Sequence, residues 1–253
     1  MNALAGKSVL VTGAARGIGA AIAEAVVDEG GAVALLDLDP AGADTAARLG
    51  DAAHFFPCDV RSLEEVERAV AAAERALGGG LDGLVNNAGV NAYFDAVEMS
   101  EEDWDTVFAV DLKAAWMLAK AALPGLMERR GAIVNISSIQ AQLTIEGFFP
   151  YAAAKAGLEG LTRSLALDYG RAGVRVNAVA PGYTDTRLVR EWLDLQPDPD
   201  AALQSVLAKI PMGRIAGARE IGDVVAFLLS DRASAITGAT IAVDCGLSVR
   251  YAS

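Results

Sequence analysis

Cysteine, histidine and positive charge are all scarce in this chain. Two cysteines, Cys58 and Cys245, and one histidine, His54, stand among 253 residues. The pair cannot build a disulfide framework and fits no metal-ligand spacing, so both are expected reduced and buried. His54 is expected as a surface or hydrogen-bonded residue, and no metal site is expected. Lysine and arginine number 21 against 33 acidic residues, a net charge of −12. Such a surface repels polyanions, which argues against nucleic acid or an anionic membrane as partner. No apolar run approaches the roughly 18 residues that a membrane span needs. Met1 to Lys7 is too short and too mixed for a secretory leader. A cytoplasmic protein is the expectation.

Hydrophobic residues, by contrast, make up 53% of the chain, enough to cover both faces of a parallel sheet. Strand patterns at 8–12, 32–37, 53–58, 82–86, 131–137, 174–179 and 240–243 alternate with helix patterns at 17–29, 40–49, 62–78, 101–128, 151–169 and 219–229. That alternation predicts an α/β fold: a doubly wound, seven-stranded parallel sheet with helices on both faces, three layers in all. No linker, low-complexity tract or repeat divides residues 1–253, so one domain is expected. The alternation breaks after Thr184. Gln196-Pro197-Asp198-Pro199-Asp200 lies there, with prolines expected to stop any helix. An insertion beside a strand's C-terminal end predicts a substrate lid over about 184–211.

Ser8 to Thr12 is an apolar strand that runs into Gly13, Gly17, Ile18 and Gly19 and then into the alanine-rich run from Ala20. Strand, glycine turn and helix in this order form a dinucleotide cradle, whose backbone N–H groups and helix N-terminus face a pyrophosphate. The spacing is G-x-x-x-G-x-G, and a lone glycine turn is weak evidence. Asp37 adds to it: a second apolar strand ends in this carboxylate eighteen residues past Gly19. A separation of roughly 20 suits an acid bonding the adenosine ribose hydroxyls.

Tyr151 and Lys155 stand four apart on a predicted helix, so phenol and ammonium share one face. A fixed positive charge nearby favours phenolate over phenol and makes the tyrosine a usable proton acceptor. Ser138, thirteen positions before the tyrosine, can deliver a hydroxyl to the oxygen of a substrate alcohol or carbonyl.

Together these motifs resemble the short-chain dehydrogenase/reductase family, in its single-domain form, from about residue 5 to 247. The matching stretches are Thr12-Gly13-x-x-x-Gly17-Ile18-Gly19, Asp59-Val60, Asn86-Asn87-Ala88-Gly89, Asn135-Ile136-Ser137-Ser138, Tyr151-x-x-x-Lys155 and Pro181-Gly182-x-x-x-Thr186. The resemblance implies a Rossmann-like fold and direct hydride transfer between a substrate carbon and a nicotinamide. It implies that Tyr151 is the acid–base, that Lys155 bonds the nicotinamide ribose, and that Ser138 holds the substrate oxygen. It also implies cofactor contacts from Arg16, Leu38, Asp59 and Val60 at the adenosine end. Asn87, Ala88 and Gly89 follow on the adenine-side ribose, and Pro181, Gly182, Thr184 and Thr186 at the carboxamide and pyrophosphate. A homotetramer or homodimer is implied, with helices 101–128 and 151–169 at an interface. One position departs: Asp111 stands where the family usually carries asparagine. It is read as a tolerated near-isostere, or as a group that acts on the site: ionised, it favours a charged Lys155 while opposing phenolate at Tyr151, and protonated, it mimics the missing amide donor.

Charge selects the cofactor. A 2′-phosphate about 4 Å from Asp37 would cost about 4 kcal/mol at an effective dielectric near 20, so NAD is expected. Arg16 pulls toward NADP unless it reaches solvent or a neighbouring carboxylate. Asn91, Gln140, Phe148, Tyr183 and Trp192 join Ser138 and Tyr151 as expected substrate contacts. Their amides and aromatic faces suit a sugar, polyol or cyclic secondary alcohol converted to a ketone or lactone. A 3-oxoacyl-thioester reductase and a steroid-type hydroxy dehydrogenase remain as alternatives. So does a nucleotide-binding regulator without turnover, although such a protein would not need both Tyr151 and Lys155.

Overall fold

The computed structural model describes residues 2–249. Nine strands follow in chain order: β1 Ser8–Thr12, β2 Ala32–Asp37, β3 Ala53–Pro57, β4 Gly83–Asn86, β5 Ala132–Ile136, β6 Arg175–Pro181, β7 Thr184–Asp185, β8 Ala216–Gly217 and β9 Thr240–Val243. Seven of them form one sheet in the order β3-β2-β1-β4-β5-β6-β9, and every pairing is parallel. Parallel strands are covered on both faces, which is why β1, β4 and β5 are buried along their whole length.

The helices are α1 Gly17–Asp28, α2 Ala41–Leu49, α3 Leu63–Ala76, α4 Glu101–Phe108, α5 Ala114–Arg129, α6 Tyr151–Tyr169, α7 Arg187–Asp194, α8 Pro199–Leu207 and α9 Ala218–Leu229. One core packs α1 and α9 on the sheet through Ile22, Val26, Ile221 and Val225. The other packs α3, α5 and α6 through Val66, Val70, Leu118, Leu126 and Leu165. This is the expected three-layer, Rossmann-like α/β fold. The chain winds outward from β1 in one direction and from β4 in the other, so the helices diverge above the β1–β4 junction and leave a crevice there.

Three expectations need correction. The helix expected over 101–128 is interrupted: Ala109–Lys113 is a π turn, in which one residue more than an α turn is accommodated, and it carries Asp111. Nor do the two prolines keep the 184–211 segment free of helix. Pro199 sits in the first turn of α8, where its missing N–H is no loss, and the Asp198 carboxylate caps that helix by accepting from Ala201 N at 3.0 Å. The base of the segment is pinned by the small sheet of β7 and β8, which sequence patterning did not show. Finally, Cys58 is buried, but Cys245 is only half-buried and adopts φ +55°, and both are free thiols. Among the described residues no helix is long and apolar enough to cross a membrane.

Candidate active site

The chain leaves β1 and turns through Gly13 (φ +62°) and Gly17 (φ +58°), conformations that a side chain disfavours. A methyl group on Gly19 would collide with the Gly13 carbonyl. The loop after β4 is stitched to this turn. Thr12 Oγ1 accepts from Asn87 N and Ala88 N, both at 3.0 Å, and Asn87 Nδ2 donates to the carbonyls of Thr12 (2.9 Å) and Gly13 (3.0 Å). Asn87 thus braces the turn with its amide as well as lining the crevice. Arg16 precedes α1 without a side-chain cap, so the first N–H groups of the helix stay open toward an anion.

A cavity of about 490 Å³ lies beside the turn. Gly13, Arg16, Asp37 and Leu38 line one side, and Asp59, Val60, Asn87, Ala88 and Gly89 the other. The Asp37 carboxylate accepts from Ala15 N and Asp39 N, each at 2.9 Å, so its position is fixed by backbone. Arg16 does not reach over the cavity unpaired: its guanidinium meets Asp39 at 2.7 Å. Arg61 forks onto Asp59 at 2.7 to 3.0 Å, and these hydrogen bonds hold the Asp59 carboxyl below the ordinary range. Burial, reinforced by the charges of Glu65 and Asp59, pushes the adjoining Cys58 thiol up to about 11. Asp39, Arg61, Thr106 and Val110 also line the cavity and escaped the sequence reading. Spacing is the signal that could have found Arg61, since a base two residues past Asp59 is within reach of it.

Toward the other end of the crevice, α6 brings Tyr151 and Lys155 together, with the ammonium 5.4 Å from the centre of the phenol ring. Lys155 is 4% exposed and Asp111 2%, and their charges meet at 3.1 Å. The same ammonium donates to the Ile136 carbonyl at the end of β5, at 3.2 Å. Asp111 also accepts weakly from Val90 N, at 3.3 and 3.4 Å. Burial pushes the Asp111 carboxyl above its ordinary value, against the pull of Lys155. For Lys155, burial disfavours the ammonium, but the charges at Tyr151 and Asp111 outweigh it and raise the pKa.

Ser138 follows β5, its hydroxyl oxygen accepting from Gln140 N at 3.2 Å, which leaves the O–H as a donor. Beside it, Ser137 Oγ donates to Glu159 Oε1 at 3.2 Å and contacts the Lys155 carbonyl at 3.4 Å. Phe148 stands edge-on to Tyr93 at 5.0 Å and to Tyr151 at 6.3 Å, and Tyr183 lies 6.0 Å from Trp192 across the opening. Burial pushes up the phenols of Tyr93 and Tyr183. Gln140 Oε1 is buried without a partner, and Asn91 is exposed.

The remaining expected contacts, Ile18, Pro181, Gly182, Thr184 and Thr186, do not line the cavity, although Thr186 lies against Gly17 of the turn. Ile18 packs its side chain against the sheet core, leaving only its backbone for a ligand. Pro181 ends β6 and Gly182 follows it, and the buried Thr184 hydroxyl donates to the Gly182 carbonyl at 3.3 Å. Thr186 caps α7 by accepting from Val189 N at 3.4 Å.

Residues 13–248 match a family model described as "Enoyl-(Acyl carrier protein) reductase". The chain is 39% identical over 253 residues to 2-(S)-hydroxypropyl-CoM dehydrogenase 3 of Xanthobacter autotrophicus, covering 98% of each protein. It is 39% identical over 246 residues to the 3-oxoacyl-[acyl-carrier-protein] reductase FabG of Vibrio cholerae, covering 96% of this chain and 98% of that one. Among solved structures, the ligand-free aldohexose dehydrogenase of Thermoplasma acidophilum superposes with a TM-score of 0.90 at 36% identity, covering 99% of this chain and 96% of the other.

Proposed function

The chain belongs to the short-chain dehydrogenase/reductase family of oxidoreductases acting on CH–OH groups with a nicotinamide cofactor, and from that premise we propose an NAD-dependent dehydrogenase that interconverts a secondary alcohol with a ketone or lactone. The observation that carries the proposal is the buried Lys155 ammonium beside the Tyr151 ring, next to Gly89 of the cavity lining. The residues present fit the cofactor: a turn that tolerates no Cβ at Gly19, open helix N–H groups, and a backbone-fixed carboxylate at Asp37.

In oxidation, Tyr151 takes the proton of the substrate hydroxyl; in reduction it returns it. Ser138 donates to the same oxygen and steadies the charge that develops there. Lys155 has three N–H bonds; Asp111 and the Ile136 carbonyl take two, leaving the third for a ribose hydroxyl. Asp111 holds that ammonium in place and keeps it charged. Hydride transfer is the chemistry that a nicotinamide held by these residues would supply. Asp37 supports NAD over NADP, and the two cations of the cavity lining are already engaged, Arg16 with Asp39 and Arg61 with Asp59.

A sugar, polyol or cyclic alcohol is the proposed substrate class. The unpaired Gln140 carbonyl, the aromatic walls of Tyr93, Phe148, Tyr183 and Trp192, and the likeness to an aldohexose dehydrogenase support it. Reduction of a 3-oxoacyl thioester is the second reading, favoured by the likeness to FabG and opposed by the acidic net charge. We read residues 1–253 as one domain, with 184–211 as its lid. Exposed Trp116 on α5 and Leu167 on α6 support a homodimer or homotetramer.

The test is turnover of purified protein with NAD and NADP across a panel of sugars, polyols, cyclic alcohols and 3-oxoacyl thioesters, with Tyr151→Phe as control. The variant is expected to lose about 10²- to 10⁴-fold in kcat while still binding NAD. Equal turnover by the variant overturns the proposal.

A further inference from the structure

Glu159 is 5% exposed, and the mechanism above makes no use of it. It sits on α6 one turn beyond Lys155. A buried carboxylate is costly unless strong partners compensate it, yet both donors to Glu159 are neutral. Ser137 Oγ donates to one oxygen and Gln142 Nε2 to the other, each at 3.2 Å. These two donors flank the short turn Ile139–Ala141 that follows Ser138. Among the described residues, Gln142 supplies the one side-chain hydrogen bond that ties segment 139–150 to α6. Ser138 and Gln140 come from that turn, whereas Tyr151 and Lys155 come from α6.

We propose that Glu159 is a positioning residue: its carboxylate clamps the Ser138–Gln142 turn to the helix that carries Tyr151, and so sets the spacing between the serine hydroxyl and the phenol. The inference rests on the proposed roles of Ser138 and Tyr151. Proton exchange and oxygen binding must converge on one substrate atom, and a displacement near 1 Å is enough to lose about 10²-fold in rate. The glycine turn, Asp37 and the loop after β4 lie on other elements and are not held by this clamp.

A double-mutant cycle on Glu159→Ala and Gln142→Ala tests the clamp, with Glu159→Gln as the conservative variant. Each alanine variant is expected to lower kcat/KM for the alcohol about tenfold, mainly through kcat, with NAD affinity by fluorescence titration unchanged. The double variant is expected to lose no more than the worse single one. Glu159→Gln can accept from Gln142 and donate to Ser137, and is expected within threefold of the parent protein. Amide exchange across 138–145 should quicken about tenfold in Gln142→Ala without a change in its melting temperature. This readout needs no turnover, so it separates failure of the clamp from failure of the proposed reaction. Additive losses, equal loss of NAD affinity, a Glu159→Gln variant as poor as alanine, or unchanged exchange would each overturn the inference. Should Glu159→Ala not fold, the exposed Gln142→Ala variant and the exchange measurement decide alone.

Discussion

Replacing Asp111 probes the most heavily buried charges among the described residues. At 3.1 Å, the attraction between Asp111 and Lys155 is about 5 kcal/mol at an effective dielectric near 20. Against it stands the cost of burying the carboxylate itself, several kcal/mol. Asp111→Asn gives up the attraction and recovers the burial cost, so its unfolding free energy should change by no more than about 2 kcal/mol. Asp111→Ala strands the ammonium with only the Ile136 carbonyl and should cost about 3–5 kcal/mol. Guanidinium melts at pH 8 measure both. The pH dependence carries a sign. Lys155 is raised above its ordinary 10.5, so its contribution to stability is complete below that value and is lost as pH climbs through the folded one. Asp111→Asn removes one of the charges that raise it, and burial then acts with less opposition. The alkaline fall in kcat/KM, and the alkaline loss of stability, should both move to lower pH. An unmoved or higher alkaline limb, or an asparagine variant as unstable as the alanine one, would refute the reasoning.

Asp37→Ala should raise kcat/KM for NADP by tenfold or more, because the fixed carboxylate facing a 2′-phosphate is gone. Asp39→Asn should raise it severalfold by freeing Arg16, a smaller effect since the pair is half-exposed, and the gain should vanish in an Arg16→Ala background. NADP kinetics on the parent protein, Asp37→Ala, Asp39→Asn, Arg16→Ala and the Arg16→Ala/Asp39→Asn double variant check both. Gly19→Ala should abolish NAD binding in calorimetry and lower the melting temperature, because the added methyl meets the Gly13 carbonyl.

Much of this was legible in the sequence because the signals were local. The strands of the main sheet follow from short apolar runs between turn residues, and their ends shift by at most two residues from the pattern. Glycine spacing announced the turn, and the interval of four between Tyr151 and Lys155 announced their meeting. What escaped depends on distances across the fold. The Arg16–Asp39 pair and the clamp at Glu159 join residues from different elements, which no periodicity reports. The π turn escaped because hydrophobic spacing over 101–128 reads as one helix, and a single accommodated residue hardly disturbs it. Helices α7 and α8 escaped because a proline reads as a stop, when at a first turn it is a start.

The widened turn at Ala109–Lys113 sets a length that the chain cannot shorten. Deleting any one of its five residues would let α4 and α5 fuse into an unbroken rod with tidier backbone bonding. Side chains before the cut would then rotate by roughly 100° against those after it, so the rod could seat Val107 and Phe108, or Leu118 and Leu126, but not both sets. The irregularity therefore works as a phase adjuster: it lets two helical stretches of fixed register share one axis while aiming a carboxylate inward between them.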